Sequence, residues 1–218
     1  MLSVHHHPGE DVLTDYYRGA LSPGLDLVVR THVAACPHCR ADLNLFSQIG
    51  AAMLEDLDGV ALADNALDLA LARIERPDSE APAPATVRHP AFLEGFELPD
   101  SLKSLVVKDR YWAAPGVWLA PVDVGPQPKN ARTYLMFVKA GMTMPEHTHK
   151  GREMTLCLHG HFRDHKGEYY PGDLTVCDAD DSHSPDIWDV DCLCLISQEH
   201  AIVPKTWLGK LLQPLARI

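Results

Sequence analysis

The chain has 218 residues, 46% of them hydrophobic and 22% charged. That composition excludes general disorder, and no apolar run reaches the roughly 18 residues of a membrane span. Nineteen basic residues stand against 30 acidic ones, a net charge of −11 shared almost evenly between the two parts of the chain. Phosphate is therefore repelled and direct nucleic-acid binding is not expected.

The first residues, Met-Leu-Ser-Val-His-His-His-Pro, have no basic n-region and no apolar h-region. The expectation is a cytoplasmic protein without a secretory leader. Helical patterning then runs to residue 74. Leu13, Tyr16, Tyr17, Ala20 and Leu21 follow i, i+3, i+4, i+7, i+8. Ser22-Pro23 marks a helix start, with a cap residue followed by proline at the first helical position. Leu25, Val28, Val29, His32 and Val33 repeat the spacing and put His32 on the apolar face. Pro37 opens a third helix, with Leu45, Ile49 and Ala52 on one side, and Val60 to Ile74 reads as a fourth. A helical unit of this size is near the lower limit for a self-sufficient core, so something beyond packing is needed to hold it.

That something is written in the histidines, of which there are thirteen. His32-x3-Cys36-x2-Cys39 spans the end of helix two and the start of helix three. Residues four apart share a helix face, and the positive end of the third helix favours thiolate, the form that binds metal. Structural zinc takes four nitrogen or sulfur ligands, so the fourth must come from elsewhere. The run His5-His6-His7 supplies it if the N-terminus folds back. Cys36-Pro-His-Cys39 also has the spacing of a thioredoxin-like dithiol, but that motif needs a preceding strand, and the approach here is an amphipathic helix. An N-terminal histidine followed at a distance by H-x3-C-x2-C in a small helical unit resembles the zinc-binding anti-sigma domain. The resemblance covers residues 5–75 and implies the ligands His7, His32, Cys36 and Cys39, with His6 and then His5 as alternatives to His7. It also implies a partner, a sigma factor of the extracytoplasmic-function (ECF) class.

Residues 77–90, PDSEAPAPATVRHP, read as a Pro/Ala-rich connector. This gives three expected segments: a helical zinc domain at 1–76, a linker at 77–90 and a second domain at 91–218. The second domain reads as short strands, among them Thr133–Lys139, Met154–Leu158 and Leu174–Cys177, separated by turns such as Pro171-Gly172-Asp173. Residues 141–160 carry G-x5-H-x-H-x3-E-x6-G, with Gly141, His147, His149, Glu153 and Gly160 at the defined positions. His147 and His149 fall on one strand face, and Glu153 returns after a short turn. This is the first motif of the cupin superfamily, which implies an all-β jelly roll. In the second cupin motif His183 holds the ligand position, whereas Asp178-Ala179-Asp180 replaces the usual P-x-G and Ile187 the usual Asn. The four ligands so implied are His147, His149, Glu153 and His183. They suit Zn²⁺, and equally Mn²⁺, Fe²⁺ or Ni²⁺. Cys157 shares the parity of Glu153. Cys192 and Cys194 share a strand face with poor disulfide spacing, which favours packing.

A zinc anti-sigma domain, a linker and a cupin in this order resemble the ChrR-type anti-sigma factors over nearly the whole chain. The resemblance implies a transcriptional inhibitor rather than an enzyme, with the cupin needed for release of the sigma factor under singlet oxygen or organic peroxide. The excess of apolar residues between Val60 and Ile74 fits a partner, and Asp64 and Asp68, four apart, fit a basic one. A cupin dioxygenase or hydrolase with an accessory zinc domain is the alternative, and a metal-dependent ligand sensor a third.

Overall fold

A computed structural model describes residues 3–75 and 87–205. Most of the expected connector, 77–86, lies outside the described residues, while 87–90 is irregular chain leading into a short turn at Ala91–Leu93.

Four helices open the chain: α1 (Glu10–Tyr17), α2 (Pro23–Ala35), α3 (Pro37–Glu55) and α4 (Ala66–Glu75). Ser22 stands extended before Pro23, as the sequence implies, although its side chain makes no capping bond. Cys36 caps α3 instead, its sulfur accepting from the Cys39 amide at 3.5 Å. The fourth helix begins at Ala66 and not at Val60. The start signal is Asn65, whose carbonyl accepts from the Leu69 amide at 3.0 Å. Asp64 therefore sits in the turn before α4, not one helical turn from Asp68 on a shared face.

After a one-turn helix α5 (Asp100–Lys103) the chain forms thirteen short strands among the described residues. A six-stranded antiparallel sheet has the order β1 (Tyr111–Ala114), β2 (Val117–Pro121), β3 (Arg132–Val138), β12 (Cys192–Gln198), β6 (Glu153–His159), β9 (Leu174–Cys177). Facing it are two smaller sheets. One joins β10 (Ser182–His183), β5 (His147–Thr148) and β13 (Val203–Pro204). The other joins β4 (Met142–Thr143), β11 (Asp186–Ile187), β7 (Phe162–Asp164) and β8 (Gly167–Tyr169).

The large sheet is buried on both faces. Tyr134, Cys157, Cys194 and Ile196 point inward to the opposing sheets. Leu135, Met154, Leu156, Leu193 and Leu195 point outward and form one core with Leu25, Val28 and Val29 of α2. This explains why β12 reads as a continuous apolar run instead of alternating: a strand covered on both sides has no solvated face. Gly24, at the start of α2, allows the close approach. A Cβ there would meet Thr133 Oγ1 at 2.0 Å and Ser197 Oγ at 2.4 Å. The helices are thus docked on the sheet. That docking, together with the histidine and cysteine cluster described next, is what the small helical unit has beyond its own packing.

Candidate metal centres

The first centre gathers at the end of α2 and the start of α3. The His7 Nδ1 atom lies 3.3 Å from Cys36 Sγ and 3.6 Å from Cys39 Sγ, and His32 Nε2 lies 3.2 Å from Cys39 Sγ. All four donor atoms fall within 4.8 Å of one another. For metal–sulfur and metal–nitrogen bonds of about 2.3 and 2.0 Å, tetrahedral geometry separates the donors by roughly 3.3–3.8 Å, so the set fits one ion of that kind. His32 is fully buried, and burial lowers its pKa to about 4 against the pull of its bond to the Gly172 carbonyl. It therefore presents a neutral imidazole. Burial, with Cys36 alongside, pushes the Cys39 thiol up to about 12. A bound cation would favour the thiolate against that burial.

Of the three N-terminal histidines, the structure brings only the His7 side chain to this cluster. The His6 ring packs on Tyr169, 4.4 Å between centroids. The backbone amides of His5 and His6 donate to Asp173 Oδ1 at 2.6 and 3.0 Å, and the His6 carbonyl accepts from Leu174 N at 3.1 Å. The segment thus extends the start of β9, and this pins His7 over the cysteines. His32 is fixed from the same place, since its Nδ1 donates to Gly172 O at 2.8 Å. That bond leaves the Nε2 lone pair for the cation. The turn Gly172-Asp173, 140 residues from His32 in sequence, is therefore the outer support of the cluster. Gly172 has φ +97°, and a Cβ there would meet Val4 at 2.9 Å. Sequence spacing gave no sign of this role.

The second centre lies between the sheets. Strands β5 and β10 pair His147 with His183, and β6 begins at Glu153. The His183 Nε2 atom is 3.0 Å from His147 Nε2 and 3.2 Å from His149 Nε2, with Glu153 Oε2 3.6 Å from His149 Nδ1. Again the four donors lie within 4.8 Å of one another, and all four residues are buried. His147 Nδ1 donates to the Pro145 carbonyl at 2.8 Å, and His183 Nδ1 to Asp164 Oδ2 at 3.1 Å. Each of these two rings then turns an Nε2 lone pair toward the same point. Lone pairs 3.0 Å apart repel unless a proton or a cation lies between them. Burial lowers His147 and His149 to about 4 and raises Glu153 to about 7. Burial also works against His183, but its bonds to Asp164 and then Cys177 prevail and raise it to about 10. A divalent cation would displace that proton and settle the charge of Glu153 at once. Asp164, a buried carboxylate on β7, is a supporting residue that no motif announced.

The departures from the second cupin motif leave the His183 position intact. Asp178-Ala179-Asp180 still makes a tight turn, in which the Asp180 amide bonds Asp178 Oδ1 at 2.9 Å and the Asp178 amide bonds Asp181 Oδ2 at 3.0 Å. Ile187, in place of Asn, is buried in the wall of a cavity of about 400 Å³ that opens onto His147, Glu153 and His183. Its lining is otherwise mostly apolar and includes Met136, Met142, Met144 and Phe162.

Comparison with known proteins agrees with both halves. A family described as "ChrR Cupin-like domain" matches residues 107–202, and one described as "Putative zinc-finger" matches residues 10–40. The anti-sigma-E factor ChrR of Cereibacter sphaeroides is 31% identical over 221 residues, covering all of both chains. The crystal structure of Rhodobacter sphaeroides SigE in complex with the anti-sigma ChrR matches with a TM-score of 0.68 and 31% identity, covering 90% of this chain and 100% of that one. With the helical unit, the sandwich and the two donor clusters arranged in that order, this chain belongs to the family of ChrR anti-sigma factors.

Proposed function

We propose that this protein holds an ECF-class sigma factor inactive through its helical part, residues 1–76, and that the cupin, residues 91–218, serves to release it. The 77–90 segment is the connector between these tasks. Zinc held by His7, His32, Cys36 and Cys39 braces the helices. A second divalent metal held by His147, His149, Glu153 and His183, with Zn²⁺ the first choice, occupies the cupin. Release answers oxidative signals such as singlet oxygen and organic peroxide.

The observation that carries this reading is the apolar surface beyond the zinc cluster. Leu54, Leu67 and Ile74 are 68%, 69% and 79% exposed, and Leu45, Ile49, Met53, Leu69 and Leu71 are exposed with them. α2 buries its apolar residues against the sheet and α1 buries Val12 and Leu13 in the same core, whereas α4 buries none. Exposed apolar residues repeating along one side of α3 and of α4 in this number point to a protein interaction site. Fewer acidic than apolar groups line it, and burial of leucines would supply most of the affinity.

The geometry also supports a route for release. The Cys157 amide donates to the Asp173 carbonyl at 3.0 Å, and the Gly172 amide donates to the Cys157 carbonyl at 2.9 Å. The strand that begins with the ligand Glu153 therefore holds the turn that supports His32 and His7. A change inside the cupin that moves β6 is felt at the zinc ligands. It can bias release only as far as the bound and free forms differ in that contact.

Co-expression with a cognate ECF sigma factor tests the reading. The full chain should co-purify with the sigma factor and silence a sigma-dependent reporter, and singlet oxygen or peroxide should restore expression. Failure to bind or silence in folded, zinc-loaded protein would reject it. The cavity beside the second centre favours the alternative, a metal-dependent dioxygenase or hydrolase. Turnover of a small substrate by metal-loaded protein, lost in His147→Ala, would establish that instead.

A further inference from the structure

A third cluster lies apart from both centres. Cys157 on β6 and Cys192 and Cys194 on β12 place their sulfur atoms within 4.8 Å of one another. All three thiols are free and buried. The local fold builds this arrangement. β6 and β12 pair Cys157 with Cys194, then Leu193 with His159, so Leu158 is the extra residue of a bulge. At the far side of the bulge Gly160 has φ +70°, and a Cβ there would meet the Asp191 carbonyl oxygen at 2.0 Å. The chain closes tightly at this point, and Cys157 is left facing both cysteines of the neighbouring strand. Cys192 Sγ and Cys194 Sγ are 3.5 Å apart. Both line the cavity shared with His147 and Glu153, so the cluster is reached from that space.

We propose that Cys157, Cys192 and Cys194 form a three-thiol site for a trivalent thiophilic metalloid of the arsenite class. Three sulfurs bound at about 2.3 Å to a pyramidal trivalent centre, with angles of about 95–100°, lie roughly 3.4–3.5 Å apart, and Cys192 Sγ and Cys194 Sγ already stand at 3.5 Å. Charge selects among soft ions. Three thiolates on a monovalent or divalent cation would leave net negative charge in a buried, apolar wall, which is costly without a partner. A trivalent centre gives a neutral complex. In the reaction with arsenous acid, three As–O bonds break and three As–S bonds form. Each thiol proton leaves with a hydroxide as water, and arsenic stays trivalent. The neighbouring thiols of Cys157 and Cys194 hold the Cys192 thiol below its ordinary value. The Cys36–Cys39 pair lacks a third sulfur and cannot form the same complex.

The probe is arsenite added to the full-length, zinc-loaded protein, read by non-denaturing mass spectrometry with zinc measured in parallel. The expected adduct is one arsenic in place of three hydrogens, with zinc retained. The same arsenic adduct should form in Cys177→Ser, whose sulfur lies outside the cluster, whether or not the cupin metal, whose ligand His183 it touches, is retained. In Cys157→Val, which keeps an apolar side chain of similar size on the strand, it should be lost or reduced to a two-sulfur adduct that keeps a hydroxyl. Absence of an adduct in folded wild-type protein overturns the proposal. So does an adduct formed with stoichiometric zinc release, or one unchanged in Cys157→Val. If Cys157→Val does not fold, the mass of the wild-type adduct decides: loss of only two hydrogens with a hydroxyl retained counts against a three-thiol site.

Discussion

The two four-donor centres use similar residues to opposite ends. The N-terminal set has two sulfurs and two nitrogens at the junction of two helices, with its ligands held from behind by Gly172 and Asp173. Four protein ligands of this kind close a tetrahedron and leave no position for another molecule, which is the pattern of a structural site. The cupin set has three nitrogens and one carboxylate, and it borders a cavity of about 400 Å³. An ion there keeps room for a further ligand. The closed centre therefore suits a part that must hold a shape, and the open one a part that must respond.

The largest effect should come from emptying the closed centre. Structural zinc contributes about 10–16 kcal/mol to the folding of small zinc units, as much as the whole stability of a typical domain. Cys36→Ser with Cys39→Ser should remove one metal per chain and melt α3 and α4, whose own residues bury little besides Cys39. Elemental analysis and circular dichroism check this, and the cupin metal should remain. Unchanged metal content would show that the cluster is not a zinc site.

Emptying the open centre should do less. His147→Ala with His149→Ala should remove the cupin metal but leave the N-terminal zinc and sigma silencing intact, while the response to oxidant weakens. Reporter expression with and without singlet oxygen measures both. If the same double substitution abolishes silencing, the division between a holding part and a responding part is wrong.

Smaller again is the effect of loosening the junction. Asp173 accepts from the amides of His5 and His6 through Oδ1 and from Tyr170 N through Oδ2, the last at 2.8 Å, and it is fully buried. Asp173→Ala leaves those donors unpaired, a cost of about 1–3 kcal/mol for a buried group. Because it frees the segment that carries His7, zinc affinity should fall about 10–100-fold, as for other supporting residues of metal ligands. Competition with a chelator measures that change. Gly24→Ala should cost about 1–3 kcal/mol by forcing α2 away from Thr133 and Ser197, with both metals retained. A thermal melt separates it from Asp173→Ala.

What could be read before the fold was known follows from where the information lies. His32, Cys36 and Cys39 are neighbours on adjoining helices, and His147, His149 and Glu153 on adjoining strands, so their spacing alone announced chemistry. His7 and His183 required a motif with a long gap, and the structure brings both to their clusters. The supports were illegible. Gly172 and Asp173 meet the N-terminus across the whole chain, and Asp164 meets His183 from another strand. No periodicity records such contacts. Cys157 was placed on the correct face by parity, but the bulge at Leu158 that sets it between Cys192 and Cys194 leaves no sequence signature. The early start read for α4 has the same origin: apolar residues from Val60 onward were counted into a helix, whereas they remain exposed chain before Asn65.

The smallest effect on the isolated protein should fall on the surface proposed to meet the partner. Leu67, Leu71 and Ile74 are spaced i, i+4, i+7 on α4, and all are exposed, Leu71 the least at 49%. They form one stripe with nothing packed on it among the described residues. Replacing exposed leucines away from caps and cores changes stability by no more than about 0.5 kcal/mol. Leu67→Ser with Leu71→Ser should therefore leave the melting temperature and both metals as they are. A buried leucine pair at the centre of an interface is worth more, and losing about 2 kcal/mol there corresponds to roughly a 30-fold loss of affinity. The paired measurement is a thermal melt of the free protein and a titration against the sigma factor. Weakened binding with an unchanged melt would place the inhibitory surface on α4 and give the apolar excess of this region its purpose. Unchanged binding would move that surface to α3, where Leu45, Ile49 and Met53 offer the only comparable stripe among the described helices.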